Sequence, residues 1–205
     1  MLQNRVDPLG NIIRTSARGA WMGNRGLLHD EHQHVLRSWR LKAWLICVLD
    51  FKGRRRKVMS PNRYTELFFL DEATAFAAGH RPCFECRREA ANRFKALWVE
   101  GNPDFHFTEA TSIDGIDAVL HQERMDRKGN KVTFSADVSG LPKGVFVMYE
   151  GRPHLVADGA LHPWTPFGYE AALALPAGQM EVLTPRSTVN AFRMGYAPQI
   201  RIKDR

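Results

Sequence analysis

Cysteine is scarce in this chain: three residues in 205. An odd and small number excludes a disulfide scaffold and points to a reducing compartment, with the cytoplasm as the expected location. Long apolar runs are missing too. No stretch approaches membrane-spanning length and the polar, basic N-terminus lacks the apolar segment of a signal peptide, so no membrane partner is expected. Internal repeats and low-complexity tracts are absent, which excludes solenoids and arrays. So are the nucleophile elbow, the phosphate loop and the metallohydrolase motifs. What remains is the balance of an ordinary globular chain, 44% hydrophobic and 25% charged, long enough for one substantial core or two small ones.

Acidic residues are short in the first half only. Residues 1–100 hold 18 Lys/Arg against 10 Asp/Glu, whereas 101–205 hold 11 against 12, so the whole net charge of +7 resides in the first half. Lys52, Arg54, Arg55, Arg56 and Lys57 concentrate it further. Such a cluster attracts polyanions by counterion release without reading sequence, and it also suits a solvated loop that keeps the protein soluble.

The same half carries Gly79-His80-Arg81-Pro82-Cys83-Phe84-Glu85-Cys86-Arg87-Arg88. Two thiols three positions apart behind a proline form half of a tetrahedral zinc site, and the flanking arginines favour the thiolates. A redox pair and two inert core thiols are the competing readings, but the βαβ surroundings of a redox motif are missing. A closed structural site needs four donors. The candidates upstream are His29, His32, His34, Cys47 and His80. Cys47 sits inside an apolar run, where a small core residue is the ordinary reading, and His80 reads as packing.

Coarse periodicity places these residues. Asp71 to Ala78 reads as a short helix stopped by Gly79. Trp44 to Phe51 reads as a buried strand, turned by Lys52-Gly53 into a second strand around Arg55 to Met59, which sets the basic cluster at a hairpin tip. Gly23-Asn24-Arg25-Gly26 reads as a turn. Ala90, Ala91, Phe94, Leu97 and Trp98 make one face of a helix that Gly101-Asn102-Pro103 ends. The segment 101–117 is polar and irregular, and it divides a basic unit (1–100) from a β-rich unit (101–205). In the latter, Gly144 to Tyr149 is a strand, Asp158-Gly159 joins two more as a hairpin, and Thr184-Pro185 starts a helix closed by Gly195.

Phe68-Phe69, Ala73, Ala77-Ala78-Gly79-His80-Arg81-Pro82-Cys83 and Cys86-Arg87 resemble the N-terminal zinc domain of the Ada methylphosphotriester DNA repair protein. The stretch is also similar to zinc modules of that type attached to secreted nucleases. Gly23-Asn24 and Leu28-His29 match the first part of the pattern more loosely. The resemblance implies zinc as cofactor, with His29 at the first ligand position and Cys83 and Cys86 at the last two. The position four after His29 is Gln33, so the implied fourth ligand falls to His32, His34 or Cys47. Self-methylation is not expected, because the accepting thiolate is replaced by an imidazole.

The second half offers His121, Glu123 and His154 as candidate base, acid and orienter, with no diagnostic spacing. Tyr149, Trp164, Phe167 and Tyr169 with Arg152 suit a stacking platform for unpaired bases or plain hydrophobic core. The expected fold is α+β, a zinc-stabilised basic N-terminal unit packed on a β-rich C-terminal unit. The expected function is zinc-dependent nucleic-acid binding, with Arg54, Arg55, Arg56 and Lys57 on phosphates and Arg87 and Arg88 in support. The alternatives are an enzyme acting on nucleic acid or nucleotides from the C-terminal unit, and an adaptor whose basic cluster meets an acidic protein.

Overall fold

A computed structural model describes residues 1–54 and 57–202. Strands β1 (Gln3–Val6), β2 (Ile12–Arg14), β3 (Trp21–Asn24), β4 (Leu45–Cys47) and β5 (Leu67–Phe69) precede helix α1 (Glu72–Ala77) and strand β6 (Arg81–Pro82). They form one sheet in the order β2-β1-β5-β3-β4-β6. Helices α2 (Arg88–Gly101) and α3 (Ile113–Arg124) follow. Then come β7 (Phe134–Asp137), β8 (Phe146–Tyr149), β9 (Arg152–Ala157), β10 (Ala160–Thr165), β11 (Gly168–Tyr169), β12 (Leu173–Ala174), β13 (Gln179–Val182) and helix α4 (Arg186–Arg193). The second sheet runs β11-β10-β9-β8-β13-β7, with β12 also on β10. The fold is a mixed α+β one. Each sheet is built from its own side of segment 101–117, and one cluster of buried side chains draws on both sides, from Val6 to Tyr196.

Helix α1 is the hub of that packing. All six of its residues are buried. Phe76 meets the rings of Phe94, Phe192 and Tyr196 at 5.2–5.3 Å, which joins α1 to α2 and α4. Its N-terminus is capped by Asp71, which accepts from the Thr74 N–H at 2.8 Å. The same carboxylate accepts from Tyr169 Oη and from the Arg201 N–H. An acid at that end also meets the positive pole of the helix. Glu72 accepts from Tyr196 Oη and pairs with Arg87 at 2.6 Å.

Five local expectations change. The strand from Trp44 is only three residues long, and its partners are β3 and β6 rather than a following strand. Residues 51–54 and 57–66 contain turns and no strand, and Arg55 and Arg56 lie outside the described residues. Gly23-Asn24 ends a strand instead of making a turn. A Cβ on Gly23 would come within 2.0 Å of the Leu45 carbonyl oxygen, so β3 and β4 approach closely only because a glycine is there. Segment 101–117 is not irregular throughout: α3 begins at Ile113 behind the Ser112 cap, with Ile116 and Leu120 on its buried face. Thr184 does not cap α4, since its hydroxyl accepts from the Phe146 N–H at 3.0 Å.

His80 packs as expected, fully buried against Phe69 and Trp44. Its Nε2 accepts from Arg25 Nε at 3.0 Å, so the proton sits on Nδ1, which donates to the Leu45 carbonyl at 3.0 Å. Burial, and then the Arg25 charge, hold its pKa well below the usual histidine value. The folded ring is therefore neutral, and the unfolded chain takes up the proton as pH falls through about 6.5. Stability from this group is complete above that pH and drains below it, by about 1.4 kcal/mol per pH unit for one proton. Between pH 6.5 and 5 the Tm of the protein should fall more steeply than that of His80→Gln, whose amide can keep both hydrogen bonds. Parallel slopes would remove His80 as the cause.

Candidate metal centre

Strand register builds the site. β4 and β6 are parallel, with Leu45 opposite Arg81 and Ile46 opposite Pro82. The ladder continues one step, because the Cys83 N–H donates to the Ile46 carbonyl at 3.0 Å. Cys47 and Cys83 therefore follow as the next residues of neighbouring strands. From Cys83 the chain turns sharply, with the Arg87 N–H returning to the Cys83 carbonyl at 2.9 Å, and this turn brings Cys86 back beside it. The sulfurs of Cys47, Cys83 and Cys86 lie within 4.8 Å of one another. Among the described residues no fourth histidine, cysteine or carboxylate joins them at that distance.

The electrostatics favour a cation among these sulfurs. Cys47 and Cys83 are buried, and Cys86 is half-buried. The Cys47 thiol donates to the Cys83 sulfur and the backbone N–H groups of Cys86 and Glu85 point at it, which lowers its pKa to about 5. Desolvation pushes Cys86 up. The hydrogen bond to Cys83 pushes Cys47 up strongly, so without a cation the cluster shares its protons. A zinc ion with 2.3 Å bonds to sulfur spaces its thiolates about 3.8 Å apart, which this cluster meets with little movement. Three thiolates with backbone N–H groups on the sulfurs are a soft donor set that suits zinc.

The thiols open onto a cavity of about 260 Å³, walled by Asn24, Leu49, Phe51, Tyr64 and Arg54. Arg54 Nη1 reaches Glu85 Oε1, inside the Cys-x-x-Cys turn, at 2.8 Å, so the basic loop is tied to the thiol turn. Arg81 is buried and holds Asp117 of α3 with two hydrogen bonds, Nε at 2.8 Å and Nη2 at 2.6 Å. That pair fixes the residue two before the first thiol.

The ligand set differs from the one the resemblance implies. Cys83 and Cys86 come together, but the third thiol is Cys47. His29 is buried elsewhere, its Nδ1 at 2.6 Å from Thr65 Oγ1 and its Nε2 at 3.3 Å from the Ser60 carbonyl. His32 and His34 are exposed beside Glu31 and Asp30. Cys47, one of the three residues left open for the fourth ligand, was obscured by the apolar run around it.

The other candidate residues divide in the same way. Arg54, Lys57 and Arg88 are exposed. Arg87 is not available to phosphates, because its largely buried guanidinium pairs with Glu72 and lies 4.0 Å from the Trp21 ring. His121, Glu123 and His154 share no partner. His121 packs edge-on to Trp39 and contacts Arg124. Glu123 accepts from the Ser187 N–H at 3.0 Å and so caps α4, while His154 bonds the Arg152 carbonyl. The aromatic platform is dismantled as well: Trp164 is core and donates to Thr74, Tyr169 is held by Asp71, and Arg152 pairs with Glu170, which leaves Phe167 exposed.

No family model, curated protein or solved structure matches this chain. No helix among the described residues is long and apolar enough to cross a membrane.

Proposed function

We propose that this protein is a cytoplasmic zinc-containing nucleic-acid-binding protein, in which Cys47, Cys83 and Cys86 hold the metal and the adjoining basic loop contacts phosphates. The metal's role is structural: when bound, it replaces the shared protons of the thiols and locks the Cys-x-x-Cys turn against β4. A zinc ion held by these three thiols would take its fourth donor from outside the cysteine set.

The observation that carries the reading is that Arg54 and the three thiols border one cavity, with Arg54 anchored to Glu85 of the thiol turn. Both partners of that pair are more than half exposed, so it contributes little to stability, and a phosphate can draw Arg54 away at low cost. Lys52 and Lys57 flank it in the sequence and are exposed. A loop of this kind tracks a backbone and does not read bases.

Fluorescence anisotropy with short DNA and RNA strands across a salt series tests this. Affinity should fall steeply with salt. Changing Arg54, Arg55 and Arg56 together to alanine should weaken binding and flatten the log–log salt slope by about 2–3. Binding that the triple variant leaves intact would refute the phosphate role.

A further inference from the structure

A second cavity, of about 560 Å³, is lined by Gly10, Asn11, Trp44, Arg124, Asn130 and Lys131 among others. Arg124, Lys131 and the exposed Arg37 line it, and the buried Arg25 donates to the carbonyls of Gly10 and Ser38, two more of its lining residues. The guanidinium carbons of Arg25 and Arg124 lie 3.7 and 3.9 Å from the Trp44 ring. Arg25 is 0% exposed and Arg124 is 2% exposed. The Lys131 ammonium donates to the Ala77 carbonyl at the end of α1. A Cβ on Gly79 would meet Arg124 Cδ at 2.4 Å, so the glycine of the Gly-His-Arg-Pro stretch makes room for this cation.

The negative charge beside the group falls short of its positive charge. Asp7 is the one acid among the described residues that acts on both Arg25 and Lys131. Asp117, which acts on Arg124, is already committed to Arg81. The neighbouring imidazoles add no charge of the required sign: His80 accepts from Arg25, and His121 contacts Arg124. Arg25 Nη2 and Arg124 Nε are buried without a hydrogen-bond partner. Burial, then Arg25 and Arg124, draw Lys131 down to about 7. Buried cations kept together with bare N–H groups destabilise a fold unless an anion completes them. Arg25 and Arg124 lie too deep for the backbone of a polymer, whereas a small molecule can enter the cavity.

We propose that this cavity binds the oxyanion group of a small molecule, a phosphate ester or a carboxylate, with Arg124 and Lys131 on its wall and Arg25 as a further positive charge against the Trp44 ring. The site is independent of the thiol centre and of the basic loop.

The test uses the full metal-loaded chain in thermal-shift and calorimetric titrations with inorganic phosphate and with malonate, at ionic strength held constant with chloride. A saturable rise in Tm is expected, and the probe with the lower half-saturation names the ligand class. Lys131→Met should unfold at a higher temperature than the wild type without anion, because a half-buried cation beside two others is gone. It should also lose affinity by about ten-fold or more. The triple alanine variant of Arg54, Arg55 and Arg56 should keep the wild-type response, which separates this cavity from the basic loop. No saturable shift with either probe on the wild type, an unaltered affinity in Lys131→Met, or a response lost with the loop arginines would each overturn the proposal.

Discussion

Cys47→Ser should lower the zinc bound by the purified protein from about one ion per chain to a small fraction of that, while His29→Ala should leave it unchanged. Serine keeps the size of the side chain and removes the soft donor, so the change tests ligation and not packing. The expected loss is large because the metal binds the folded chain and not the unfolded one. With free metal a thousand-fold above Kd, the linkage contributes about 4 kcal/mol. For a chain of this length that corresponds to about 8–16 °C in Tm. Elemental analysis, with melting curves before and after a strong chelator, reads both quantities. Retention of metal in Cys47→Ser together with its loss in His29→Ala would restore the histidine to the ligand set and sink the three-thiol centre.

Arg81→Ala should cost about 3–5 kcal/mol, among the largest effects of a single surface-free change in this molecule. The guanidinium and the Asp117 carboxylate are both almost wholly buried and joined by two hydrogen bonds. Deleting the cation leaves a carboxylate without its partner in a site that water does not reach. The cost is that of the stranded charge, so it should not equal the net contribution of the pair. Arg81→Met combined with Asp117→Leu, which removes both charges, should recover most of the loss in a urea titration. A double variant no more stable than Arg81→Ala would mean that the ion pair itself, and not the orphaned acid, carries the energy.

The sequence made the local half of this architecture readable and left the long-range half hidden. Asp71, the alanines after it and Gly79 mark α1 because caps and stops act over a few residues. Asp158-Gly159 marks the β9–β10 hairpin for the same reason, both residues adopting positive φ. The Cys-x-x-Cys turn is local too, and so Cys83 and Cys86 were legible as ligands. Cys47 was legible only as one of three candidates beside His32 and His34, since its place depends on β4 lying parallel to a two-residue strand far along the chain. A hydrophobic run says that a strand is buried and says nothing about which strand it pairs with. The spacing of the Ada-like resemblance pointed to His29, which Thr65 and Ser60 engage instead. Helix α3 was within reach: Ser112, Asp114 and the spacing of Ile113, Ile116 and Leu120 are a capped amphipathic start, masked by the polar residues before it. The cationic cavity lay beyond sequence reasoning, because Arg25, Trp44 and the Arg124–Lys131 turn come from three separate stretches.

The parallel ladder between β4 and β6 has one more implication, for how such a protein can diverge. Two of its sulfurs are aligned by hydrogen bonds between backbones, and the connection between them carries β5 and the buried helix α1, which the fold also holds in place. Only the exposed basic part of that connection, around Lys52, Arg54 and Lys57, is open to lengthening, shortening or recharging, and so to retuning what the basic loop grips. A shift of one residue within the ladder has no such freedom, since it would turn the first sulfur to the opposite face of the sheet.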